Sequence, residues 1–126
     1  HTPVEGDAKD LPFAQAEPGA TALEMLLSAS LKWAEQSSVG VMRALQVVTS
    51  APAALLGPAG QGLGRLEVDA PADICIYTAT EQWQVEPGVL HSQSKHTPFA
   101  FDMNASLMPG KVQATLVAGR LAFQLN

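Results

Sequence analysis

A single cysteine, Cys75, stands in 126 residues, so no disulfide can form within the chain, and a reducing compartment such as the cytoplasm suits it. Basic residues are few: seven Lys and Arg face twelve Asp and Glu, for a net charge of -5. That balance argues against nucleic acid or an anionic membrane as the main partner. No uncharged apolar run approaches the roughly 18 residues of a bilayer span. Histidine is scarce too, with only His1, His91 and His96, no His-x-His and no pair at helix spacing. What the chain does have is apolar content, 47% hydrophobic against 15% charged residues. This is rich for a free-standing small domain, and part of that surface is expected to meet a partner or further chain.

The first half reads as helical. Thr21-Ala22-Leu23-Glu24 has the form of a capping box, in which the Thr hydroxyl and the Glu carboxylate satisfy each other's backbone N–H groups. Leu23, Leu26, Leu27, Leu31 and Ala34 then recur at spacings of three and four, predicting a helix from Thr21 to about Gln36. Ser37 and Ser38 break it. Val41, Ala44, Leu45 and Val48 repeat the spacing through a second helix, and Ala51 to Leu56 makes a third short turn stopped by Gly57. Gly57-Pro58-Ala59-Gly60-Gln61-Gly62-Leu63-Gly64 is the strongest boundary and reads as a hinge. Residues 1–57 and 58–126 are therefore taken as two segments.

Beyond the boundary the period switches to two. Arg65 to Val68, Asp73 to Thr78 and Gln82 to Val85 are strand candidates. Val112 to Val117 and Leu121 to Leu125 read as a hairpin around Ala118-Gly119-Arg120. Pro87 to Asn104 has no clear period and is expected to be a long loop with one helical turn. Asn104-Ala105-Ser106 has the form of a glycosylation acceptor, a triplet common by chance, and is read as incidental.

Several stretches carry a family likeness. His1-Thr2-Pro3-Val4 with Lys9, then Ala16-Glu17-Pro18-Gly19-Ala20-Thr21-Ala22-Leu23-Glu24, resemble the active-site loop of the dihydroorotases, the cyclic-amide hydrolases of pyrimidine synthesis. In that family the last strand of a (β/α)8 barrel ends in Asp-x-Ala-Pro-His-x4-Lys, followed by a Pro-Gly-x-x-Gly-Leu-Glu stretch. Gly64 to Ile74, Ser94-Lys95-His96-Thr97-Pro98-Phe99 and Val112 to Arg120 are similar to marks of the family's C-terminal part. A complete barrel needs about 250 residues, more than are here. The chain opens within this active-site loop, whose first half is expected to lie outside these residues. The resemblance thus implies an α+β fragment: the last helices of an amidohydrolase barrel followed by the C-terminal strands of its small β domain.

The same resemblance assigns roles. The catalytic Asp would sit immediately before His1, outside the chain, so no catalytic residue is expected within it. Zinc, which the family uses to lower the pKa of a bound water, would be held by residues elsewhere in the parent, and no metal site is expected here. A site made by His91, His96 and Cys75 follows no spacing rule, and the bland reading is loop histidines with a strand thiol. Pro18 and Gly19 match main-chain groups that touch the substrate ring. Gly19 offers an unhindered N–H just before a helix N-terminus, where an anion is favoured. Val4 stands where the family has a substrate-binding His; imidazole donates a hydrogen bond and an isopropyl group does not.

Two functions follow from this resemblance. An active parent would interconvert dihydroorotate and carbamoyl aspartate, this chain being inactive without the N-terminal barrel. The alternative, favoured by Val4, is a non-catalytic homologue serving as a scaffold for aspartate transcarbamoylase. Another cyclic amidohydrolase, a hydantoinase or allantoinase, is a third reading, for which Thr97-Pro98-Phe99 is less expected. Other constellations are weak. The glycines 60, 62 and 64 lack the strand-before, helix-after order of a phosphate loop. Glu5, Asp7 and Asp10 are a solvated loop. Ser28, Ser30 and Ser50 lack the setting of a nucleophile, and Trp33 and Trp83 read as core or interface.

Overall fold

The computed structural model describes residues 4–100 and 107–125. His1 and the Asn104-Ala105-Ser106 triplet lie outside them. The fold is α+β, with three α-helices and a three-stranded sheet among the described residues: α1 (Leu26–Ser37), α2 (Val41–Val48), α3 (Ser50–Leu55), β1 (Ile74–Gln84), β2 (Leu107–Val117) and β3 (Arg120–Gln124). The sheet order is β1-β2-β3. Two compact units divide the chain, His1–Leu26 with Gln82–Met108 and Leu27–Glu81 with Pro109–Asn126. The helical and strand-rich segments on either side of residue 57 thus both contribute to the second unit.

The helix expected from Thr21 starts as a 3-10 turn at Leu23–Met25, at the end of the first unit's N-terminal segment, and continues as α1. It ends where Ser38 adopts φ +56, a left-handed conformation that stops a helix. Its inward face differs from the predicted apolar stripe. Leu31 and Ala34 are buried, but Leu23 and Leu26 are exposed, and Ser28 and Ser30 are buried in their place. Ser28 is accommodated because its hydroxyl donates to the carbonyl of Gly110, 3.1 Å away. At that point β2 comes close to the helix: a Cβ on Gly110 would meet Cδ1 of Leu31 at 2.3 Å. Trp33 is 42% exposed and so is not core. Of α2, only Ala44 is fully enclosed.

The glycine-rich stretch is not the expected hinge. Gly57–Gly60 forms a 3-10 turn, and Gly60 is buried so tightly that a Cβ there would lie 1.8 Å from the carbonyl oxygen of Ala53. Gly64 likewise meets the backbone of Thr49 and Ser50. These glycines are there for close backbone approach.

Arg65 to Val68 is not a strand. Leu66 and Val68 are 79% and 92% exposed, so their alternation has no sheet to pack against. The segments from Asp73 and from Gln82 merge into one strand, β1, tied to β2 where the Glu81 carboxylate accepts from Gln113 Nε2 at 3.1 Å and pairs with Lys111 Nζ at 3.0 Å. The C-terminal hairpin is as expected, and β2 begins earlier than Val112. Val117 faces Arg120 across Ala118 and Gly119, at φ +48 and +76, the primed geometry that matches strand twist. The Ala118 N–H donates to Asp73 Oδ1 at 2.7 Å, and the Gly119 N–H to the Ala72 carbonyl at 3.1 Å.

Candidate functional site

In the first unit, the loop that carries Val4, Pro18 and Gly19 is closed at its neck. The Thr21 N–H donates to the His96 carbonyl at 2.8 Å, and the Thr21 hydroxyl donates to the Ser94 carbonyl at 3.0 Å. Ser94 in turn donates its own hydroxyl to the Val4 carbonyl. Thr21, Ser94 and Val4 are all buried. One residue therefore holds both ends of a sixteen-residue excursion, residues 5–20. Inside the excursion, Asp7–Lys9 forms a 3-10 turn, the Glu17 N–H donates to the Ala8 carbonyl at 3.2 Å, and Lys9 Nζ donates to the Glu17 carbonyl.

The expected capping box does not form. The residue at the N-cap is Ala22, with no side-chain cap, and both polar partners of the motif are engaged elsewhere. Thr21 binds Ser94, while the Glu24 carboxylate accepts the backbone N–H groups of His91 and Ser92 at 2.8 and 2.6 Å. Long-range hydrogen bonds have displaced the local ones. Lys95 adds a turn of its own, its Nζ donating to the Leu90 carbonyl at 2.5 Å. The result is a segment, residues 90–97, wrapped by main-chain and carboxylate contacts, with Leu90, Ser94 and Thr97 buried. Sequence reasoning found this segment only as a family mark. It missed Ser94 as the residue holding the loop, because nothing local distinguishes a clamping serine from any other.

The positions singled out from sequence are placed as follows. Val4 is 3% exposed, with its carbonyl taken by Ser94. Pro18 and Gly19 are exposed, and Gly19 has φ +113, a conformation in which an L side chain would be strained. Gly19 precedes the 3-10 turn that leads into α1, so its main chain lies outside the helix start.

Among the described residues, no group of three His, Cys, Asp or Glu side chains is placed to hold a metal ion, so the donor set for zinc does not exist within them. Cys75 lies on β1 in the second unit, where burial pushes its thiol up from 9.0, partly offset by a hydrogen bond with Thr115. A shallow cavity of about 340 Å3 in the same unit is lined by Ser50, Ala53, Ala54, Gly60, Leu63 and Arg65, among others. Its one charged group is Arg65, which is paired with Glu67 at 3.2 Å, so it offers neither acid nor base for hydrolysis. No described helix is long and apolar enough to cross a membrane.

No family model matches the chain. Curated proteins do. It is 34% identical over 124 residues to a dihydroorotase of Citrifermentans bemidjiense, a match covering 98% of this chain and 28% of that protein. It is 33% identical over 126 residues to a dihydroorotase of Syntrophotalea carbinolica, covering 100% of this chain and 28% of the relative. A dihydroorotase-like protein of Pseudomonas aeruginosa is 32% identical, with 98% of this chain and 27% of that protein covered.

Proposed function

Because the chain is homologous along its whole length to a segment spanning about 28% of curated dihydroorotases, we propose that it is the C-terminal part of a dihydroorotase-like cyclic amidohydrolase. The reaction of the whole protein is the reversible hydrolysis of the cyclic amide that relates dihydroorotate to carbamoyl aspartate. The observation that carries this reading is a match along nearly the whole of this chain to about 28% of relatives named for that activity. The relatives give no support to a scaffold role.

Within that function the chain contributes binding and enclosure. The exposed main chain at Pro18 and Gly19 meets the substrate ring, in a backbone conformation only glycine holds without strain. Val4, 3% exposed, packs at the start of the loop where the family has a hydrogen-bond donor. Zinc, supplied by residues of the remaining protein, would lower the pKa of the attacking water. The exposed Leu55, Leu56, Leu66 and Val68 give the N-terminal barrel an apolar surface to cover. The same reading places the protein in the cytoplasm, where a lone thiol stays reduced.

A chimera tests this reading: the corresponding segment of the Citrifermentans bemidjiense dihydroorotase is replaced by this chain, and carbamoyl aspartate turnover is assayed. Measurable turnover is expected, raised about tenfold by Val4→His if a donor to the ring is restored at the transition state. A folded chimera that retains zinc but is inert in both forms overturns the proposal.

A further inference from the structure

We propose that Ser94 is the positioning residue of the substrate-facing loop, setting where Pro18 and Gly19 stand by pinning both ends of residues 5–20; the functional half of this inference rests on the dihydroorotase reading above. Three observations converge. The Ser94 hydroxyl donates to the carbonyl of Val4, at the start of the loop. The Ser94 carbonyl accepts from the Thr21 hydroxyl, at its end, at 3.0 Å, and the adjacent His96 carbonyl accepts the Thr21 N–H at 2.8 Å. Ser94, Thr21 and Val4 are each 3% exposed or less, so water cannot readily replace these bonds.

The arithmetic of a loop explains the leverage. Between its necks the excursion is tied across by Glu17 N–H to Ala8 and Lys9 to Glu17, its other hydrogen bonds being local turns at Gly6–Asp10 and Pro12–Ala16, and Pro18 and Gly19 lie beyond all of them on the exposed side. With the neck closed, the entropy of joining the loop ends is already spent in the folded chain before a ligand arrives. With it open, that ordering falls on the binding step. Ser94 therefore acts on the affinity for a cyclic amide bearing a carboxylate, and leaves the chemistry of bond cleavage alone.

Hydrogen exchange on the 126-residue chain reads the clamp directly. In Ser94→Ala, amides of residues 5–20 are expected to exchange about tenfold faster, with β2 and β3 unchanged and Ser94→Thr restoring protection. In the chimera described above, Ser94→Ala is expected to raise KM several-fold with kcat within twofold. Unchanged exchange in the loop overturns the clamp. Faster exchange throughout, without rescue by Thr, also overturns it, since Ser94 is then a general stabiliser. A loosened loop with unchanged KM overturns the substrate role. A folded, zinc-retaining chimera inert both as wild type and as Val4→His means that the dihydroorotase reading has failed, and the exchange data alone then decide the clamp.

Discussion

A Cβ on Gly110 would stand 2.3 Å from Cδ1 of Leu31, so the helix and the strand approach as closely as the chain allows. Gly110 also holds φ +83 within β2. Gly110→Ala should therefore cost about 2–4 kcal/mol, part from overlap and part from the left-handed backbone. Urea denaturation measures this. Adding Leu31→Ala should relieve the overlap, making the double variant less unstable than the sum of the singles; strict additivity would contradict the contact.

Glu24 gives the second expectation. Its carboxylate receives two main-chain N–H groups from a segment nearly seventy residues away in sequence. Glu24→Ala should destabilise the fold by about 1–2 kcal/mol, discounted for partial exposure, and Glu24→Gln by less because an acceptor remains. Equal midpoints for wild type and Glu24→Ala would show that these bonds contribute nothing.

At the hairpin, Ala118 occupies φ +48, where a Cβ is unfavourable. Ala118→Gly removes that penalty and should stabilise the chain by about 0.5–1 kcal/mol after the added chain entropy is counted. A thermal melt of the variant should shift upward; a downward shift would mean the turn is not strained.

The Cys75 thiol is raised above 9.0, first by burial, against a smaller opposing hydrogen bond with Thr115. Its alkylation rate should rise with pH to a midpoint above 9.0, and Thr115→Val should move that midpoint higher. The sign for stability follows. With the folded value above the unfolded one, the folded chain holds the proton more tightly, so stability is lost as pH climbs from 9.0 through the folded value. A midpoint below 9.0 would reverse the assignment.

What could be read in advance depended on how far apart in sequence the partners lie. The closing hairpin was legible because Val112 to Leu125 alternates and turns within a few residues. The first helix was legible from its spacing, but its buried face was not, since Ser28 owes its place to Gly110, 82 residues on. Thr21 and Glu24 have the pattern of a local cap, and only the folded chain reveals partners in residues 91–96. Leu66 and Val68 show the converse: a strand-like alternation with no strand beside it. Of the site, the family marks pointed to Val4, Pro18 and Gly19, while Ser94 was visible only as part of a mark without a role.

The ties from Thr21 to Ser94 and from Ser28 to Gly110 span 73 and 82 residues. During synthesis at about 5–20 residues per second, the N-terminal loop of this chain must wait roughly 4–15 seconds for its partners to leave the ribosome. Throughout that interval the apolar side chains of α1 have no β2 to rest on. Contacts of such long range also slow the search for the native state once the chain is free. Translation speed across residues 30–110 is thus a variable that bears on the yield of folded protein, and slowing it there lengthens the exposure.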